Sequence, residues 1–149
     1  MSVVDEVPWI KEHIALYKSD PERAHYFVIP GTDGKGRPSL LLTTIGAKTG
    51  QPRDITLFYG KSGGNFIIVA SLGGAPVHPA WYKNLVAHPT AEIQVGKDHH
   101  IVKARDAKGE ERTALLQVMV DQVMDRYNEY ESMTQGFREM PIVVLEPQG

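Results

Sequence analysis

The chain has 149 residues, 42% of them hydrophobic, no cysteine, and a formal net charge of −2. One ordinary core fits that length, so a single domain over 1–149 is expected, without disulfides, thiolate metal sites or any global attraction to nucleic acid. Asp5 and Glu6 speak against a secretory signal and no apolar run reaches the roughly 18 residues of a membrane span, so a cytoplasmic protein with no transmembrane segment is expected.

Pro8 to Tyr17 predicts an amphipathic helix, with Pro8 in its first turn and Ile10, Ile14 and Tyr17 at helical spacing. It is expected to cover a sheet edge; the alternative places Trp9 and Tyr17 at a substrate opening. Ser19-Asp20-Pro21 ends it and opens a second short turn. Gly31 to Pro38 reads as a surface loop with solvated Lys35 and Arg37. Strands are predicted at Leu40–Ile45 and Asp54–Tyr59, with Gly60 to Gly64 as a hairpin turn. Asn65–Ser71 is the most strand-like run, apolar enough to be buried on both faces. Pro79–His88 predicts a helix, Ala91–Val95 and His100–Arg105 a hairpin around Gly96-Lys97-Asp98, Asp106–Asp125 a long helix with a solvated start, Tyr127–Gln135 a shorter one, and Pro141–Leu145 a closing strand. Consecutive strands with helices outside argue for an α+β antiparallel barrel over a doubly wound parallel sheet.

Two glycine-bearing turns stand out. Thr44 to Arg53 brings Lys48, Arg53 and hydroxyls beside Gly46 and Gly50, which suits an anion, although such a turn is as often a solvated hairpin. It matches neither the Walker nor the dinucleotide fingerprint. Ser71 to Pro76 runs into His78-Pro79-Ala80-Trp81-Tyr82-Lys83-Asn84-Leu85. Were both turns at one end of a sheet, they would form the two halves of a cofactor cleft. His99-His100 beside Asp98 is not read as a metal site, because neighbouring strand residues face opposite ways. The aromatics do not interleave with a basic stripe, so no nucleic-acid partner is expected.

Thr44-x-Gly46-x-Lys48-Thr49-Gly50-x-x-Arg53, followed by Ala70-Ser71-x-Gly73-Gly74-x-x-x-His78-Pro79-x-Trp81-Tyr82-x-Asn84-Leu85, resembles the deazaflavin-dependent nitroreductase family. Pro141 to Pro147 resembles that family's last strand. The resemblance runs from about Pro8 to Pro147 and implies a split β-barrel like the flavin-binding pyridoxamine-phosphate oxidases, with a helix at about 8–19 and a barrel at about 39–147. It also implies that coenzyme F420, a deazaflavin, gives its hydride to a small organic acceptor (quinone, enone or nitro compound). By the same likeness Lys48 and Arg53 hold the cofactor's phosphate and acidic tail, helped by Gly46, Thr49 and Gly50. Ala70, Ser71, Gly73 and Gly74 lie against the ring, and Trp81, Asn84 and Leu85 stand beside it. Thr44, Ala47, Pro52, Thr56, Leu72 and His78 complete the cofactor-contacting set, although His78 reads by itself as a residue that caps or packs the helix after it rather than as a base. Tyr127 and Tyr130 match the first two members of an aromatic run lining the acceptor pocket.

Three departures bear on the substrate. Ala47 replaces a usual cation, Leu72 a frequent lysine, and Met133 a third tyrosine, so the acceptor range is expected to differ from that of nitroimidazole-reducing members. Hydride chemistry resides in the cofactor, which leaves the protein to hold the ring and to offer a hydrogen-bond donor to the oxyanion formed on the acceptor. Ser71 and Tyr130 are the expected donors, Trp81, Tyr127 and Met133 the expected acceptor-side contacts, and a homodimer the expected assembly. The rivals are a deazaflavin carrier without catalysis and an enzyme using flavin mononucleotide (FMN).

Overall fold

Alternation of side chains decides the architecture. In strand β2 (Gly36–Ile45), Leu40 and Leu42 enter one apolar cluster while Leu41 enters another on the opposite face. The computed structural model describes residues 7–148, so Asp5 and Glu6 lie outside the described residues. Besides β2 it holds β1 (Tyr26–Val28), β3 (Pro52–Phe58), β4 (Gly60–Ser62), β5 (Asn65–Val69), β6 (Thr90–Val95), β7 (Asp98–Asp106) and β8 (Ile142–Pro147). All pairings are antiparallel, in the order β1-β2-β6-β7-β8-β5-β4, with β3 on β2.

After Tyr59 the chain of β3 bends into β4. The first half of this bent strand pairs with β2 and the second with β5, which rolls the sheet into a barrel with a split between the start of β3 and the end of β5. Leu42, Ile55, Phe66, Ile68, Ile93, Val102 and Leu145 fill the interior. Helix α3 (Ala80–Ala87) adds Trp81 and Leu85 to that cluster. Outside, Ile67, Val69, Ile142 and Val144 are covered by α4 (Gly109–Gln122) and α5 (Arg126–Thr134) through Leu115, Met119 and Tyr127. Strand β5 is therefore buried on both faces, as its unbroken apolar run requires; each such side chain contributes about 1.5–3 kcal/mol. Helices α1 (Pro8–Ser19) and α2 (Pro21–His25) pack on β2 and β3.

Three expectations need correction. Gly36 to Pro38 is strand rather than loop, paired with β1, and Arg37 is not solvated: its side chain is 12% exposed and its Nε donates to the Val123 carbonyl at 3.0 Å. Gly60 to Ser62 is likewise strand, so the turn shrinks to Gly63-Gly64. At Gly60 a Cβ would meet Met119 Sδ at 2.9 Å, so the missing side chain admits α4, whose Gln122 amide then accepts from Lys61 N–H and donates to Lys61 C=O. Finally, β7 continues to Asp106, opposite Val143, and the helix after it starts only at Gly109.

Helix α1 is held by polar groups in an apolar setting. The Tyr17 hydroxyl donates to the Ser39 carbonyl at 2.7 Å and accepts from the Gly96 N–H at 3.1 Å, so Tyr17 is an internal strut and lines no opening. Trp9 stacks on Phe27. His13 is fully buried, with Nε2 3.0 Å from the Ala24 carbonyl and Nδ1 without a partner among the described residues. Burial holds its pKa below the ordinary value, and those of His25 and His78 also. The unfolded chain then takes up protons that the folded chain refuses, so stability is complete above about pH 6.5 and falls as pH drops below it, by at most about 1.4 kcal/mol per unit for each histidine. Thermal midpoints between pH 7.5 and 5.5 should fall more steeply for the wild type than for His13→Gln; equal slopes would remove His13 from this role.

Candidate functional site

Strand register places both glycine-bearing turns at the same end of the barrel. Strand β2 runs toward the first turn, and β6 pairs Glu92 with Thr43, so Thr90 lies at that end. Asp106 pairs with Val143, and Ile142 with Val69, which brings the end of β5 there too. A larger hollow of about 740 Å³, walled by His25, Tyr59, Phe66, Lys97 and His100, lies at the other end of the strands, and a smaller one lies beside Tyr82 and Arg105; neither is lined by the two turns.

The first turn closes the β2–β3 hairpin. Gly46 N–H donates to Gln51 C=O at 2.8 Å and Gly50 N–H to Gly46 C=O at 2.9 Å. A Cβ at Gly46 would lie 2.6 Å from Thr49 Oγ1 and 3.3 Å from the Gln51 carbonyl, so any side chain there would have to push Thr49 aside. Gly50 has φ +69°, which glycine adopts without cost. Lys48, Thr49, Gly50, Pro52 and Arg53 are exposed at the rim. Arg53 reaches back toward Thr49 Oγ1 at 3.4 Å. The adjacent carboxylate, Asp54, is engaged by Lys18 at 2.9 Å and by the Thr43 hydroxyl, and neither Lys48 nor Arg53 has a carboxylate partner among the described residues.

Asn84 joins this turn to α3. Its Oδ1 accepts from Ala47 N–H at 2.9 Å and its Nδ2 donates to Thr44 Oγ1 at 3.0 Å. A backbone N–H can only donate, so the bond to Ala47 fixes the amide's orientation. Helix α3, which follows directly from the second turn, is thereby bolted to the first.

The second turn leaves β5 at buried Ala70 and carries Leu72, Gly73 and Gly74 at φ +44°, +63° and +83°. Its carbonyls are gathered by a residue that the motif reading missed. The Arg138 guanidinium donates to the carbonyls of Ala70 at 3.0 Å, Ser71 at 3.0 Å and Ala75 at 3.1 Å, and lies 3.2 Å from His78 Nδ1. Only its position, a lone arginine between Gly136 and the closing apolar strand, could have drawn notice. Because His78 Nδ1 faces a cation that can only donate, that nitrogen is unprotonated; burial and then Arg138 lower the ring's pKa. His78 is thus a tie in the turn, in keeping with a packing role.

Helix α5 lies against the same turn: Met133, 55% exposed, packs on Gly74, where a Cβ would meet its Sδ at 2.8 Å. Tyr130 is half-buried and edge-on to Tyr127 at 6.2 Å. Tyr127 itself is 4% exposed inside the outer core, and burial raises its pKa. Trp81 and Leu85 sit in the barrel interior. Thr56 faces outward on β3, with its Oγ1 buried and without a partner among the described residues. His99 is exposed near Glu92, whereas His100 turns toward Phe66.

Fold and site together define a split-barrel protein with a cationic bend and a small-residue bend at one end. A candidate pyridoxamine 5'-phosphate oxidase from Listeria innocua shares this fold at 11% identity (TM-score 0.51, 74% of this chain and 84% of that one). Over residues 11–147 the chain matches the F420H(2)-dependent quinone reductase family, and it belongs to that family. F420H(2)-dependent quinone reductase Rv1261c of Mycobacterium tuberculosis is 38% identical over 146 residues, covering 92% of this chain and 95% of that one. Among solved structures, an F420-H2 dependent reductase, FDR-A, is 38% identical with TM-score 0.67, covering 74% of this chain and 95% of that one. Another, described as a domain-swapped dimer, is 31% identical with TM-score 0.69 and covers 97% of this chain and 100% of that one. The expected deazaflavin-dependent family and split-barrel fold are those found.

Proposed function

We propose that this chain is an F420H2-dependent reductase that delivers a hydride to a quinone, or to an enone or nitro compound of similar shape. The observation that carries the reading is the Asn84 bridge, which ties the bend holding Lys48 and Arg53 to the helix that follows the ring-facing bend. The residues present fit such a cofactor. Two exposed cations without carboxylate partners among the described residues suit an acidic tail. When bound, the reduced deazaflavin supplies the hydride.

The chain's own residues bind, orient and stabilise. Lys48 and Arg53 anchor the tail, while Gly46, Thr49 and Gly50 shape the bend around it. Ala70 to Gly74 form the ring wall, which Leu72 makes more apolar than a lysine would. Tyr130 and Ser71 supply hydroxyls to the acceptor oxygen on which negative charge gathers. Tyr127 acts at one remove, by packing edge-on against Tyr130. The protein works in the cytoplasm on a small-molecule acceptor, as one split-barrel domain paired in a homodimer; a lipid quinone would bring it to the membrane surface. No helix among the described residues is long and apolar enough to cross a membrane.

The test is a fluorescence titration of purified protein with reduced F420, FMN and NADPH, followed by addition of a quinone or nitro acceptor. Saturable binding of reduced F420 and its oxidation on adding the acceptor are expected. Tight binding without oxidation by any acceptor would make the protein a carrier, and a yellow protein that ignores F420 would make it an FMN enzyme. Tyr130→Phe should lower kcat by about 10- to 100-fold, the range of a lost oxyanion donor or proton source, with cofactor affinity unchanged. Unchanged turnover across acceptors would end that role.

A further inference from the structure

We propose that Arg138 is the positioning residue of the ring-facing bend, fixing the backbone from Ala70 to His78 in the shape that receives the deazaflavin. The inference rests on the function proposed above and adds a residue which that reading did not contain. Its geometry is that of a clamp. Nη1 reaches the Ala70 carbonyl, Nη2 the Ser71 carbonyl and Nε the Ala75 carbonyl, so one rigid fork ties the start and the end of the bend. The same Nη1 also lies 3.2 Å from His78 Nδ1 and so reaches the residue that leads into α3.

The bend needs such a tie. Leu72, Gly73 and Gly74 are consecutively left-handed, a course that leucine resists. Within the bend, Gly74 N–H donates to Ser71 C=O and Ala75 N–H to Leu72 C=O, and these short-range bonds by themselves do not fix how it leaves the barrel. Arg138 comes from the link between α5 and β8, where its own N–H donates to Thr134 C=O at 3.1 Å. The clamp therefore couples the ring wall to the helix that carries Tyr130 and Met133. It sets the cofactor side and the acceptor side at one spacing, which near-attack geometry requires. The guanidinium also has no carboxylate partner among the described residues, so its positive charge stands uncompensated behind the ring wall. Lysine would supply charge without the fork and could serve only part of this set.

The test uses Arg138→Gln and Arg138→Lys in the full chain, with three readouts. In cofactor-free protein, amide hydrogen exchange across Ala70–Ala75 should speed up in Arg138→Gln and slow again on adding millimolar guanidinium. The His78 ring, faced by Arg138, Lys83, Tyr82 and Asp106, should titrate at higher pH once Arg138 is gone. With reduced F420, Arg138→Gln should bind at least about tenfold more weakly and lose kcat as well, the loss of one charge-assisted hydrogen bond being enough for that, while Arg138→Lys falls between. Wild-type exchange, affinity and kcat in Arg138→Gln would overturn the proposal. If Arg138→Gln does not fold, Arg138→Lys decides: an intermediate affinity upholds the fork, and wild-type behaviour overturns it. Failure of the wild type to bind F420 would defeat the functional reading, whereas the exchange and His78 readouts would still judge the clamp.

Discussion

Replacing Lys48 and Arg53 together with alanine is expected to weaken binding of reduced F420 by about a hundredfold while leaving the thermal midpoint unchanged. Each cation is exposed, and the nearby Asp54 carboxylate is already engaged by Lys18 and Thr43, so no ion pair among the described residues is lost with them. A charge-assisted hydrogen bond contributes about 1.5–3 kcal/mol, and solvent screening at this rim discounts the pair to about 2.7 kcal/mol, the equivalent of that factor. Binding by the wild type should weaken as salt rises and that of the double variant should not, because exposed charges are screened within a Debye length of about 8 Å at physiological ionic strength. Fluorescence titration at low and high salt measures both. Equal affinity of wild type and variant at low salt would mean that the acidic tail lies elsewhere.

Asn84→Ala should act on fold and site at once. It leaves the Ala47 N–H and the Thr44 hydroxyl without the partner that joins them to α3. With Thr44 and Asn84 both buried, the expected loss is about 2–4 kcal/mol, from two hydrogen bonds and the desolvated groups left behind. Denaturant unfolding would show it as a lower midpoint with an unchanged slope. Because the bend loses its register against α3, F420 affinity should fall as well, even though Asn84 itself sits beneath the bend. Asn84→Asp keeps an acceptor for Ala47 N–H, and the Thr44 hydroxyl can turn to donate, so the loss should be smaller. A variant of wild-type stability and full affinity would show that the bridge does not organise the site.

Much of this was legible from local chemistry. The Phe66 to Val69 run announced a wall buried on both faces, and Gly96 a hairpin, because period-two burial and turn stereochemistry are written within a few residues. Both glycine-bearing turns and the Trp81 helix were likewise visible as motifs. Boundaries failed where a distant partner set them. Gly36 to Pro38 became strand because Tyr26–Val28 pairs with it, and Gly60 to Ser62 because Phe66 and Gln122 do. Arg37 read as solvated for the same reason: its acceptor on Val123 lies 86 residues away.

By itself, the sequence determined which segments could bear charge, turn sharply or bury apolar surface, since propensity and patterning act over neighbouring residues. It also determined the family, through a spaced set of glycines, cations and aromatics. Only the tertiary structure decided that the two bends share one end of the barrel, that Asn84 bolts one to the helix following the other, and that Arg138 gathers the carbonyls of the second. Those relations depend on strand register and on hydrogen bonds spanning 37 to 68 residues, and no local pattern encodes which donor will meet which acceptor once the sheet has rolled up.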